Sequence, residues 1–123
     1  MTNLANDLSP LIKEGGKYDF DKYVALTGLK KSELKEITGL TELRSDRPLS
    51  QDNRNKLRSL TKILTYLIYE FQGNEEAVSH WIHSPRSQWF GDSPLDLMQR
   101  KDFETVENYL KRHCEPDMNM IKG

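Results

Sequence analysis

The sequence predicts an all-α protein: an N-terminal helix-turn-helix-like unit, one long central helix and a C-terminal unit of three short helices. Three observations carry this. Apolar residues recur by threes and fours across residues 52–72, the spacing of one face of a long helix. Two shorter periodic runs are cut off by Gly28 and Gly39, residues suited to the left-handed conformation that ends a helix. Asn74, Ser93 and Asp102 each stand just before a short helical run, where a side-chain oxygen can accept from the free N–H groups of the first turn. No stretch has the period-two alternation of a strand.

Taken in order, Leu4, Leu8, Leu11 and Ile12 fit a helical face, with Pro10 kinking it and Gly15-Gly16 ending it, so one short helix is expected there. Residues 18–40 then read as two short helices. Phe20, Tyr23, Val24 and Leu26 or Thr27 form the buried face of the first, and Leu34 and Ile37 that of the second, from about Lys31 to Thr38. Two short helices joined by a tight glycine turn have helix-turn-helix spacing, with Val24, Gly28, Leu29, Leu34 and Ile37 at the positions such a motif makes small or apolar. The second helix would show Lys30, Lys31, Ser32 and Lys35 outward, the lysines toward phosphates and Ser32 or Lys31 toward base edges. That helix also carries Glu33 and Glu36 and no Arg, Gln or Asn, so an ordinary αα-hairpin with a solvated charged face competes with the DNA-binding reading.

Thr41 to Ser50 reads as a loop whose Arg44 and Arg47 offer two further phosphate contacts. Ser50 or Asp52 caps the central helix, Asp52 to Gln72, whose stripe is Leu57, Leu60, Ile63, Leu64, Leu67, Ile68 and Phe71. Tyr66 and Tyr69 widen that stripe enough to serve a homodimer interface as well as the core. Beyond Gly73 the three short helices are expected at Glu75–His83, Pro94–Arg100 and Phe103–Cys114, with Pro94 at a first helical position where its missing N–H costs nothing. Trp81 falls on the same helical side as Ala77 and Val78 and is expected in the core. Trp89 and Phe90 stand side by side on the loop between the first two helices. One of them caps the small C-terminal core and the other is free to anchor a partner, with Arg86 in the same patch.

Composition narrows the function. A net charge of −1 argues against a global basic field for nucleic acid or membrane. Residues 1–72 carry 12 Lys/Arg against 10 Asp/Glu and residues 73–123 carry 6 against 9, which places any nucleic-acid contact in the first half. With Cys114 as the only cysteine no internal disulfide can form, and with no long apolar run a cytoplasmic location is expected. Glu76, His80 and His83 share a helix face, but they lack the order of a zinc hydrolase motif and need a further ligand from elsewhere, so no metal is expected. The acids at Asp92, Asp96, Asp102, Glu104 and Glu107 lie near helix N-termini, where the dipole favours them, and there is no nucleophile elbow or glycine-rich phosphate loop. No enzymatic activity and no cofactor are therefore expected.

Several of these residues come in a recognisable order: Trp81, then Ser84-Pro85-Arg86, a turn with Gly91, the helix start Pro94-Leu95-Asp96-Leu97, and a last helix with Val106 and Leu110. This order resembles the toxin-binding domain of the Xre/MbcA/ParS-like antitoxins. The resemblance implies a type II antitoxin that binds and occludes a RES-domain, NAD-consuming toxin, forms a homodimer or larger assembly and represses its own operon. It also implies that the C-terminal tail approaches the toxin's cleft. On this reading residues 1–50 are the DNA-binding region, 51–73 the connecting helix and 74–123 the toxin-binding domain with its tail. The toxin-binding residues are then Arg86, Trp89, Phe90, Met118, Met120 and Ile121. The alternative is a helix-turn-helix transcription regulator, without a toxin, whose C-terminal unit only oligomerises.

Overall fold

The computed structural model describes residues 11–114. It begins with a small antiparallel hairpin, β1 (Ile12–Lys13) and β2 (Lys17–Tyr18), with Ile12 opposite Tyr18 and Lys13 opposite Lys17. This corrects the expected helix through Leu11 and Ile12, and with it the expectation that the chain has no strand. Gly15 and Gly16 have φ of +79° and +76°, so the pair turns a hairpin where helix termination was expected. The apolar spacing of Leu11 and Ile12 has a different use: Leu11 is buried, and its carbonyl accepts the Asp19 N–H at 2.8 Å. Leu4 and Leu8 lie outside the described residues.

Six α-helices follow: α1 (Phe20–Thr27), α2 (Lys31–Thr38), α3 (Gln51–Glu70), α4 (Glu75–His83), α5 (Pro94–Gln99) and α6 (Phe103–Cys114). The architecture is mostly helical, as the sequence predicts. Side-chain oxygens cap the helices where expected. Ser50 accepts from the Asn53 N–H, Asn74 from Ala77, Ser93 from Asp96, and Asp102 from both the N–H and the hydroxyl of Thr105. Ser93 and Asp96 form a reciprocal capping box. The central helix starts one residue earlier and stops two residues sooner than predicted, because the chain turns out through Gln72 at φ +53° and Gly73 at +82°.

One apolar cluster of buried residues gathers side chains from Leu11 and Phe20 through to Val106 and Leu110. Five stripe residues of α3, Leu57, Leu60, Ile63, Leu64 and Leu67, lie inside it, while Ile68 and Phe71 pack half-buried at its margin. α3 packs lengthwise on α6, and α1 packs on α4. Tyr23 is the largest side chain fully inside, its hydroxyl 2.7 Å from the Thr61 hydroxyl, and burial raises its phenol further above its ordinary value so that it stays neutral.

The α1–α4 contact is close. Gly28, with φ +73°, ends α1 against α4, and a Cβ there would meet the Ser79 hydroxyl at 2.9 Å. Beside it, His83 Nε2 lies 2.8 Å from the Thr27 carbonyl, which makes that nitrogen the protonated one, and the Lys22 ammonium pairs with Glu75 at 2.5 Å.

Candidate functional site

The loop between α4 and α5 is closed by its own backbone. The Arg86 N–H donates to the Asp92 carbonyl at 3.0 Å, and the Arg86 carbonyl accepts from Trp89 at 3.1 Å and from Gly91 at 2.9 Å. A single 3-10 turn, Ser87–Trp89, fills the interior of the loop. Phe90 follows at φ +56°, a left-handed conformation that costs a residue with a Cβ about 1–2 kcal/mol. The two adjacent aromatics then diverge. Trp89 turns inward, its ring edge-on to Tyr109 at 5.5 Å between centroids, and packs on the core. Phe90 is 98% exposed. A left-handed backbone carrying a solvated phenyl ring is a liability in an isolated chain.

Beneath the loop lies a compact aromatic floor. Trp81 and Tyr109 have centroids 6.1 Å apart, and His113 stacks on Tyr109 at 4.2 Å, one helical turn further along α6. Arg86 lies on this floor, its guanidinium carbon 4.5 Å from the Trp81 centroid and 5.6 Å from that of Tyr109. Its Nε is buried without a hydrogen-bond partner. Trp81 is therefore half-buried and supports the arginine, which corrects its expected place in the core. Tyr109 was missed in the sequence. Its i, i+4 relation to His113 was the available signal, masked by the charged residues around it on α6.

Of the residues singled out for toxin contact, Arg86 and Trp89 share this floor and Phe90 projects from the same loop. Met118, Met120 and Ile121 lie outside the described residues. The other group lies on or beside α2 and on the loop that follows it. Lys30, Lys31, Ser32 and Lys35 are all exposed on or beside α2. Lys31 faces Asp21 at 3.6 Å, and the Glu33 carboxylate accepts the Lys30 N–H at 2.9 Å. The Lys101 ammonium donates to the Glu36 carbonyl at the far end of α2. Arg44 grips Asp46 through two hydrogen bonds, Nε at 3.2 Å and a terminal nitrogen at 2.8 Å, and Arg47 is exposed. That fork holds the Asp46 carboxyl below its usual range. Glu76 and His80 line a shallow groove with Ala25, Glu75 and Ser79, while His83 is taken up by the Thr27 carbonyl.

These features define a mostly helical chain with a backbone-closed loop set over an aromatic floor. Residues 67–113 match the family model described as the antitoxin Xre/MbcA/ParS C-terminal toxin-binding domain. The matched segment contains the whole loop, its aromatic floor and Phe90. Neither a curated protein nor a solved structure matches the chain. No described helix is long and apolar enough to cross a membrane.

Proposed function

We propose that the chain is the antitoxin of a type II toxin–antitoxin pair, which neutralises a RES-domain, NAD-consuming toxin by occluding it and catalyses nothing itself. The observation that carries this reading is the position of Phe90: 98% exposed, on a closed loop inside the family segment. A ring left in water at the tip of a rigid loop is the usual form of an interface anchor, because little ordering is needed when it enters a pocket. Met118, Met120 and Ile121 extend the contact toward the toxin's cleft, since methionines adapt to irregular apolar cavities. The test is co-expression with the product of the adjacent reading frame. Wild type is expected to co-purify with it and suppress its toxicity. Phe90→Ala, or removal of residues 117–123, is expected to abolish both while leaving helical content unchanged. Co-purification of both variants at wild-type yield excludes this placement.

In the same reading the protein is cytoplasmic, forms a homodimer through the outer flank of α3, and represses its own operon. Lys30, Lys31 and Lys35 would contact phosphates, Ser32 a base edge, and Arg44 and Arg47 the flanking backbone. Support comes from the exposure of these lysines on one short helix after a glycine turn. Titration of the chain's own upstream duplex over a salt series tests it. Lys31→Ala with Lys35→Ala is expected to flatten the slope of log affinity against log salt by about 1.8. Equal weak binding to any duplex excludes operator recognition.

A further inference from the structure

On the reading of residues 67–113 as a toxin-docking domain, we propose that the partner presents a carboxylate, from an Asp or Glu side chain, to the Arg86 guanidinium, beside an apolar socket that receives Phe90. Arg86 is held differently from the other arginines with described contacts. Arg44 and Arg100 each grip an acid, Asp46 and Asp92, at 2.8 and 2.7 Å. Arg54 and Arg58 donate to the side-chain oxygens of Gln51 and Asn55. Arg86 rests on two aromatic rings, its Nε is buried without a partner, and among the described residues no carboxylate lies within ion-pair distance of it.

The acids nearest in sequence are already committed. Asp92 is taken by Arg100, Asp96 accepts the Ser93 N–H, and Asp102 caps α6 through Thr105. The rings remove water from the guanidinium while fixing its plane, so most of the ordering cost of a bound arginine is already met. A partner docking over Phe90 would also cover Arg86, because the two residues are joined within one backbone-closed loop. Covering an unpaired cation is strongly unfavourable, and a single backbone carbonyl satisfies only one edge of the fork. A carboxylate supplies two parallel acceptors and the opposing charge. A phosphate would satisfy the fork equally well, but the neighbouring ring calls for an apolar socket, which a protein surface provides.

The co-purified toxin is the probe, with affinities measured from low to high salt. Arg86→Gln is expected to weaken binding at least ~30-fold, the effect of breaking a covered charge pair, and to remove most of the salt dependence. Arg86→Lys keeps the charge and loses the fork and the stacking, so it is expected to restore only a small part of the affinity. On the toxin side, one Asp→Asn or Glu→Gln substitution is expected to reproduce the loss and to add nothing in the Arg86→Gln background. This second arm holds even if Arg86→Gln folds poorly. Wild-type affinity for Arg86→Gln overturns the proposal. So does full rescue by lysine, a carboxylate scan that finds no coupled acid, or an Arg86→Gln defect confined to binding of duplex DNA. If the wild-type chain binds no toxin at all, the toxin-docking reading itself fails, and this proposal fails with it.

Discussion

The two loops that carry arginines make opposite use of them. In residues 39–50 Arg44 closes on Asp46, both exposed, and the loop is tied down separately where the Ser45 hydroxyl accepts the Phe20 N–H at 3.1 Å. In residues 84–93 Arg86 lies on Trp81 and Tyr109, and the nearby acid is drawn off by Arg100. The first loop neutralises its own charge. The second keeps a cation on a rigid apolar support with its fork unmatched. A residue count would rate the two loops alike, yet only one is prepared for an incoming anion. The difference lies in what supports the guanidinium.

The comparison breaks most severely at Tyr109, which supports Trp81, Trp89 and Arg86 together. Tyr109→Ala is expected to lower unfolding free energy by about 2–4 kcal/mol, read from urea titration, the low end of aromatic truncations because the ring is only half-buried. It is also expected to red-shift the tryptophan emission, since both tryptophans of the chain rest on that ring. An unshifted spectrum would mean the floor does not depend on Tyr109.

A smaller effect of opposite sign separates docking from stability. Phe90→Gly relieves a left-handed backbone and removes a solvated ring, so the free chain is expected to gain about 0.5–1 kcal/mol in thermal or urea unfolding while toxin binding falls. A loss of stability would show that Phe90 is packed in solution.

The smallest effect belongs to the other loop. Asp46→Asn is expected to leave the melting temperature within ~1 °C of wild type at neutral pH, as for exposed pairs generally. The hydrogen bond from Arg44 lowers the folded-state affinity of Asp46 for a proton, so its slight stabilisation is present above the ordinary carboxylate value and fades as pH falls through the lowered one. Acid titrations of wild type and Asp46→Asn are therefore expected to diverge slightly at neutral pH and converge in acid.

The sequence made the C-terminal half more legible than the beginning of the chain, for physical reasons. Asn74, Ser93 and Asp102 are capping residues whose chemistry acts within three residues, so they mark boundaries that tertiary contacts rarely move. Leu11 and Ile12 have spacing compatible with either a helix or a short strand, and the Gly15-Gly16 turn decided between them only through the left-handed φ of both glycines. The candidate docking site was half legible. Arg86, Trp89 and Phe90 are neighbours in sequence, so grouping them needed no fold. Tyr109 and His113 arrive from α6, and no local pattern announces which loop a helix will support. Likewise nothing near His83 indicates that its partner is the Thr27 carbonyl, 56 residues away.

The clasp between α1 and α4 has a practical bearing on the matched segment. Residues 67–113 begin four-fifths of the way along α3 and leave out α1, which packs against α4. A fragment cut at those borders would discard α1 and most of α3, including the buried Leu57, Leu60, Ile63 and Leu64, although α4 packs on the first and the last helix on the second. The matched stretch is thus smaller than the packed core it belongs to, so binding is best measured on the full chain.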